Sequence, residues 1–472
     1  MTAEPLTDAP GRATAPADAP DRETLPDRAT VRTGTPDRAT APYQGSGPDH
    51  ETAPDRATAS NQGTGPDHAA VPTDAPDRAA VPYPEAAPTD PRRARGNQLT
   101  RAAQWFAGTR NDPYGLILRS GTEDPRPHEE RVRAEGPLFH SAPLDTWVTA
   151  DRAVAEAVVA DPAFDGPRPG PEAAAGDGLP YRSAVLAVDR ATAARLAPLT
   201  ALGGPMLWAP EEECVEKRTV TLARALLAGL GDRFDLAEDF ARRLVGRVIG
   251  EQLGLPEAAH ERFVRILPDC RHALDGLLCP QPHAVVRAAE RAEAALSAVL
   301  AEGLHEAGED SVRAARILAV GAAETTVVLV ANAVRRLLAE PGAWQRLAAD
   351  PALAAGAVRD TLRLAPPVRL ETRTARADTV LAGTELPAGS RVTLLVAAVN
   401  RDPAAPADAA PFGLPGDLHF ALSGRLVTVI ARAALGALAG TLPALRTAGE
   451  EVTRPRSPVL AAPARLPVAG TA

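Results

Sequence analysis

One long apolar segment limits the possible folds more than any other part of the chain. Residues 314–340 read AARILAVGAAETTVVLVANAVRRLLAE, a segment that is apolar around nearly its whole circumference when it is drawn as a helix. A helix of that kind must be surrounded by other elements, because none of its faces suits water. We therefore predict that this segment is a helix running through the middle of a large domain.

The segments around it predict a mainly α domain with a minor β-sheet. Residues 151–164 are an amphipathic helix with Asp151 as its N-cap, and residues 234–255 place most of their apolar side chains on one side of a helix. Residues 341–368 predict two more helices, each of which stops before a proline. Short β-branched runs divided by glycine and proline over residues 377–400 indicate a small sheet.

Residues 1–95 differ in composition from the rest of the chain. The motif PDRAT occurs at 26–30, 36–40 and 54–58, proline recurs every few residues, and bulky aliphatic side chains are scarce. Such a segment cannot bury enough apolar surface to offset the entropy lost on ordering. We predict a disordered Pro/Ala/Asp/Arg repeat tail over this range and a folded domain over residues 96–472. The alternative is a docking role for the tail.

The overall composition excludes several classes of function. The net charge of −9 argues against a nucleic-acid partner, which requires a basic face. The start of the chain lacks the apolar stretch of a signal peptide, and no run of about 18 apolar residues occurs, so no membrane partner is predicted. The cysteines, Cys214, Cys270 and Cys279, are sparse and lack metal-ligand spacing. They fit a reducing cytoplasm and predict no metal site.

Four stretches resemble the cytochrome P-450 monooxygenases in their order and spacing. They are GAAETT (321–326), RDTLRLAPPVRLETRTA (359–375), LPAGSRVTLLVAAVNRDP (386–403) and RSPVLAAPARLPV (456–468). The resemblance covers essentially all of residues 97–468. It implies a cytochrome P-450-like fold, mainly α with a minor sheet, and it allows each functional position of that family to be compared with this chain.

Two pairs of residues match the family's helical motifs. Glu324 and Thr325 match the acid and threonine that deliver protons to bound dioxygen in that family. The alternative, which we favour, is that the threonine hydroxyls only donate hydrogen bonds to carbonyls of the preceding helical turn. Asp360 and Arg363 match the Glu-x-x-Arg pair. Their spacing puts both side chains on one helix face and leaves a charge-assisted pair available. The arginine that completes this network aligns with Pro411, which donates nothing.

Arg373 matches the arginine that grips a haem propionate in the family, since a guanidinium suits a carboxylate. The segment expected to supply further propionate donors, residues 208–227, opens with three glutamates, which would repel propionates. We therefore expect Arg373 to be a surface or interface arginine.

The loop that should hold the haem ligand is altered most. The family pattern is Phe-Gly-x-Gly-x-His-x-Cys-x-Gly, and the cysteine thiolate drives cleavage of the O–O bond. In residues 411–438 Phe420 remains, Ala421 replaces the first glycine, the loop is shorter and no cysteine occurs. A lone His419 would not supply the thiolate push and is more typical of polar surface. We predict neither a haem nor a metal.

The beginning of the predicted domain resembles one branch of this family. Residues 97–164 are similar to haem-free helper proteins of the macrolide and anthracycline deoxysugar glycosyltransferases, with Trp105, the NDPY at 111–114 and the TWVTAD at 146–151 as the recognisable points. The resemblance implies a cytoplasmic, non-catalytic auxiliary protein that binds, stabilises and activates a nucleotide-deoxysugar glycosyltransferase in antibiotic (polyketide) biosynthesis. It also implies a hetero-tetramer of two enzymes and two helpers, with residues 97–150 as the first place to seek the contact.

Two alternatives from other classes remain open at this point. The first is a degenerate haem monooxygenase that acts on a polyketide or another hydrophobic small molecule. The second is a binding module that holds the sugar donor or the aglycone in the vacated haem pocket.

Overall fold

The computed structural model describes residues 91–119, 123–166, 186, 188–202, 204, 211–304, 307–406, 408–413, 423–454, 457–460 and 463–470. All of these lie in one compact unit, Ala75–Ala472. The predicted tail lies outside the described residues except for its last few positions, because the first helix begins at Pro91. His419, Phe420 and Ala421 also lie outside them.

Helices make up most of the described chain, as predicted. Their bounds are α1 Pro91–Thr109, α2 Pro113–Arg119, α3 Arg126–Ala134, α4 Arg152–Ala160, α5 Arg190–Thr200, α6 Glu212–Ala228, α7 Arg242–Gln252, α8 Glu257–Cys270, α9 His272–Asp275, α10 His283–Gly303, α11 Glu309–Ala339, α12 Ala343–Ala349, α13 Ala354–Leu364, α14 Val396–Val399 and α15 Gly424–Thr441. A π-helical segment, Leu236–Ala241, leads into α7.

Strands form one larger sheet and three small ones. Their bounds are β1 Phe139–Ser141, β2 Thr146–Thr149, β3 Phe164–Asp165, β4 Arg233–Asp235, β5 Leu370–Ala375, β6 Thr379–Leu381, β7 Thr384–Leu386, β8 Arg391–Leu395, β9 Arg446–Thr447, β10 Val452–Thr453, β11 Pro463–Arg465 and β12 Pro467–Ala469. The larger sheet has the order β1-β2-β8-β5-β3, in which only β2 and β8 run parallel.

The core forms around α11, which confirms the prediction of a central helix. Helix α6 packs against α7 and α15, and both α7 and α15 pack against α11, in a four-helix arrangement. Every residue of α11 from Ala314 to Val334 is buried except Arg316. The absence of a polar face in the sequence therefore reflects contact with protein on all sides.

Several predicted boundaries agree with the structure. Asp151 caps α4 by accepting a hydrogen bond from the Val154 backbone N–H at 2.9 Å. Residues 341–368 contain α12 and α13, and residues 377–400 contain β6, β7 and β8. The single helix predicted over residues 234–255 is wrong at its start, where β4 pairs with β12 before the helix begins.

Two helices, α11 and α15, are long and apolar enough to cross a membrane by length and composition alone. Neither helix contains an uninterrupted run of about 18 apolar residues, because polar side chains such as Glu324 in α11 and Arg432 in α15 interrupt both. The most apolar stretch of α11 is wholly buried within the protein, so its apolar composition is accounted for by the core.

Candidate functional site

Glu324 lies at the centre of a buried ion cluster on α11. Its side chain is 4% exposed, and Arg242 reaches both carboxylate oxygens, with Nη2 at 2.8 Å from Oε1 and Nε at 3.2 Å from Oε2. Arg454 donates from Nη1 to Oε1 at 3.0 Å. Two guanidinium groups from distant segments therefore hold this carboxylate in place.

The cluster fixes the protonation state of Glu324. Burial alone would raise the pKa of this carboxyl, but Arg242 and Arg454 lower the pKa to about 2. The group is therefore ionised at neutral pH and keeps both oxygens engaged. A proton relay needs a carboxyl that exchanges its proton near the working pH, so Glu324 is held as a structural anion.

Further charged and titratable residues surround Glu324, Arg242 and Arg454. Glu238 also pairs with Arg242, from one turn earlier in the chain. Burial, followed by the nearby Arg454, lowers the pKa of Arg271 to about 10. Burial and the Arg271 charge lower the pKa of His272 to about 4, so the imidazole is neutral at pH 7. The positive charges of the cluster thus help to lower the pKa values of the neighbouring basic groups Arg271 and His272.

The threonines beside Glu324 differ from each other. The Thr326 hydroxyl donates to the Ala322 carbonyl at 2.7 Å, as in the bonded-back arrangement that was favoured. Thr325, which aligns with the family's threonine, is fully buried, and its hydroxyl has no hydrogen-bond partner within the described residues. The bonded-back interpretation is therefore wrong for Thr325.

Among the described residues, Asp360 and Arg363 do not form the ion pair that their spacing left available. Both lie on α13, but Asp360 is exposed and no contact joins the two side chains in the described part of the chain. A different carboxylate, Glu129 on α3, forms buried ion pairs with two arginines. It is 1% exposed, pairs with Arg369 at 3.1 Å and also pairs with Arg401. No local pattern marks Glu129, because its partners are more than 200 residues away.

The expectation that Arg373 is a surface or interface arginine was wrong. The residue is 8% exposed, and its Nη1 donates to Glu371 Oε2 at 3.1 Å and to the Thr372 carbonyl at 2.9 Å. It lies on β5, a strand in which every residue except Thr374 is buried. Since Glu371 neutralises it, this guanidinium does not require an external carboxylate.

Two glutamates near the start of α6 have cationic partners on α15. Glu212 pairs with Arg425 at 3.1 Å and with Arg432 at 3.0 Å, and Glu216 pairs with Arg432 at 2.7 Å. Burial would raise the pKa of Glu212, but the hydrogen bonds from Arg425 and Arg432 lower it. This ionic clamp joins α6 to the helix that follows the altered loop.

The residues of this region do not fit a thiolate-ligated haem. The sequence contains no cysteine beyond Cys279, and Cys214 lies exposed on α6. The would-be proton donor Glu324 and the would-be propionate partner Arg373 are both bound within the protein. Among the described residues, no cluster of His, Cys, Asp and Glu has the geometry of a metal site.

The recognisable residues of the opening region have separate roles. Asp112 accepts from the Gly115 backbone N–H at 2.7 Å, and the Tyr114 hydroxyl lies 3.1 Å from Thr393 Oγ1 of β8. Burial raises the pKa of Tyr114 to about 12. Asp112 thus caps the start of α2 and Tyr114 holds that helix against the sheet, whereas Trp105 on α1 is exposed.

Comparisons with known proteins agree with this architecture. A sequence model of the family described as cytochrome P-450 matches residues 345–412. Protein TylM3 of Streptomyces fradiae is 47% identical over 418 residues, which cover 82% of this chain and 95% of that protein. Protein AknT of Streptomyces galilaeus is 34% identical, covering 81% of this chain and 97% of its own length.

The fold also matches solved structures. The ligand-free CYP164A2 of Mycobacterium smegmatis superposes with a TM-score of 0.63 at 26% identity, covering 76% of this chain and 99% of that one. The overall backbone is therefore retained in a chain whose site residues have changed.

Proposed function

This chain belongs to the cytochrome P-450-like auxiliary proteins of macrolide and anthracycline glycosyltransferases, and from that membership we propose how it acts. It binds a partner glycosyltransferase that uses a nucleotide-activated deoxysugar, and it stabilises and activates that enzyme without catalysing a reaction itself. The complex contains two enzymes and two auxiliary chains and forms in the cytoplasm.

The observation that carries the proposal is the engagement of the former site residues inside the protein. Glu324 is held by Arg242 and Arg454, and Arg373 by Glu371. We infer that Glu324 and Arg373, together with Thr325, Asp360 and Arg363, are relict positions with packing or structural roles. The chain thus keeps the family's fold, and the charged groups at the former site stabilise that fold.

Activation by a non-catalytic partner needs only differential binding. If the auxiliary chain binds the active conformation of the transferase more tightly than other conformations, it shifts the population towards that state. If it binds folded enzyme and not unfolded enzyme, it stabilises the fold by mass action. A specific interface of roughly 1,600 Å² in total is sufficient for such a complex.

Co-expression with the partner glycosyltransferase tests the proposal. We expect the two chains to elute together in gel filtration at equal stoichiometry, and the purified auxiliary chain to show no haem Soret band. Elution as separate proteins would contradict the proposal. A Soret band with stoichiometric haem would instead support a working monooxygenase.

A further inference from the structure

The exposed side of α1 carries large apolar side chains and no acidic residue. Seven of its residues and Arg110, which directly follows it, face solvent along one side: Arg95, Gln98, Leu99, Ala102, Trp105, Phe106, Thr109 and Arg110. We call this set the α1 face. The opposite side packs inward and includes Asn97, Gln104 and Ala107.

Large exposed hydrophobic side chains are concentrated on this face. Leu99, Trp105 and Phe106 are 61%, 62% and 54% exposed. The other large exposed hydrophobics among the described residues, Leu353, Val380 and Val452, lie on separate elements. Scattered exposed apolar residues are normal on a protein surface, but adjacent aromatic residues on one helix indicate an interaction site.

The face is basic although the chain as a whole is acidic. Arg119 places its guanidinium carbon 3.9 Å from the Trp105 ring centroid, and Arg110 lies 5.4 Å from that of Phe106. The acidic residue of this stretch, Asp112, is buried. Each exposed ring thus has a cation against it, on a chain of net charge −9.

A groove continues the face towards the core. It has a volume of about 470 Å³, and its lining includes Trp105, Leu118, Arg101, Arg119 and Cys279. Tryptophan and arginine are the residues that most often dominate binding energy at protein interfaces. A partner suited to this surface presents apolar side chains to the rings and carboxylates to the arginines.

We propose that the α1 face is the docking surface for the glycosyltransferase, and that the transferase contacts it with an apolar patch rimmed by Asp and Glu. This assignment rests on the function proposed above and specifies where on the chain the contact lies. It predicts that Trp105 and Phe106 supply most of the apolar binding energy, and that the arginines supply the attraction at long range.

Truncation of the two rings tests the apolar part. In the full-length chain, W105A/F106A should raise the Kd for the transferase by about 100-fold, the scale expected when two hot-spot aromatics are lost. The matched control V380A/V452A removes exposed apolar side chains elsewhere and should leave the Kd within about twofold. Both variants should unfold at the same temperature as the unaltered chain, because the altered residues are exposed.

Charge reversal tests the chemistry of the partner. R110E should weaken binding and reduce the salt dependence of the Kd, because it removes one attraction that salt screens. A Kd that does not change with salt in the unaltered complex would overturn the acidic-rim assignment.

Hydroxyl-radical footprinting of Trp105 identifies the occupant of the face. We expect rapid oxidation of Trp105 in the full-length chain alone and protection when the transferase is added. Protection in the free chain would overturn the assignment, because the chain's own tail or a second copy would then cover the face. If the transferase binds W105A/F106A as tightly as the unaltered chain, the docking assignment fails while the proposed function stands. If the unaltered chain does not bind the transferase at all, the proposed function itself fails.

Discussion

At the scale of single residues, Glu324 changes its role most completely from the one its sequence motif suggests. The motif matches an acid that hands on protons, yet the carboxylate is enclosed by Arg242 and Arg454. These partners lie 82 and 130 residues away in the chain. The match of Glu324 to the family motif could therefore be predicted from the sequence. The ion cluster that determines the role of Glu324 could not.

Removal of the charge at Glu324 should destabilise the domain. E324Q leaves Arg242 and Arg454 buried with a neutral partner, and we expect the free energy of unfolding to fall by about 3 kcal/mol in denaturant titrations at pH 7. The exposed pair Glu340–Arg346 provides a control, since E340Q should cost less than about 1 kcal/mol. Equal effects of the two substitutions would contradict the structural role of the cluster.

Asp275 should make stability depend on pH. It is buried and accepts hydrogen bonds from Ser457 Oγ at 2.6 Å and from the backbone N–H of Val459 at 3.1 Å, and burial raises its pKa to about 6. Because the folded state binds this proton more tightly than the unfolded state, the carboxyl contributes stability at low pH. That contribution is lost as pH rises towards 6, at a cost of about 3 kcal/mol.

D275N removes this titration and isolates its effect. Relative to D275N, the unaltered chain should gain stability as the pH falls from 7 to 4, measured as the difference in free energy of unfolding. Other titrating groups, such as Asp235, remain in both proteins and cancel in the difference. Parallel pH profiles for the two proteins would show that Asp275 does not titrate in this range.

At the scale of elements, the clamp between α6 and α15 joins the start of α6 to the helix that follows the altered loop. Arg432 contacts both Glu212 and Glu216 and is partly buried, whereas Arg425 on the same helix contacts Glu212 alone and is mostly exposed. Charge pairs gain strength with shielding from solvent and with the number of partners.

The two arginines of the clamp therefore form a matched pair for mutation. R432A should lower the free energy of unfolding by about 1 kcal/mol and speed amide exchange at the start of α15, while R425A should cost about half as much or less. Denaturant titration and hydrogen exchange would measure both effects. A larger effect from R425A would show that the clamp is not organised around Arg432.

The elements themselves were predictable where local chemistry decides them. Asp151 caps α4 as expected, and prolines end the helices of residues 341–368. The start of the segment 234–255 was not predictable, because β4 depends on pairing with β12 at the far end of the chain. The burial of Arg373 likewise depends on what packs against β5 in the folded protein, which no local pattern records.

At the scale of the whole molecule, the sequence predicts the fold well because the order of its motifs spans the domain. The central apolar helix, the small sheet and the closing segment occur where the family resemblance placed them. The family resemblance pointed to residues 97–150 as the contact region, but the exposure of the α1 face was not predictable. Helix α1 has no clear periodic pattern, and the exposure of Trp105 is set by the packing of α1 on its neighbours. Tertiary packing decides which side chains are exposed and which charges lie beside them.

The rate of sugar transfer by the partner glycosyltransferase tests the central claim most directly. Measured with its nucleotide-deoxysugar donor and acceptor, the rate should rise at least tenfold when the full-length auxiliary chain is added. The increase should saturate at one auxiliary chain for each enzyme, because binding of the active conformation shifts its population. A transferase that turns over equally fast without this chain would contradict the account.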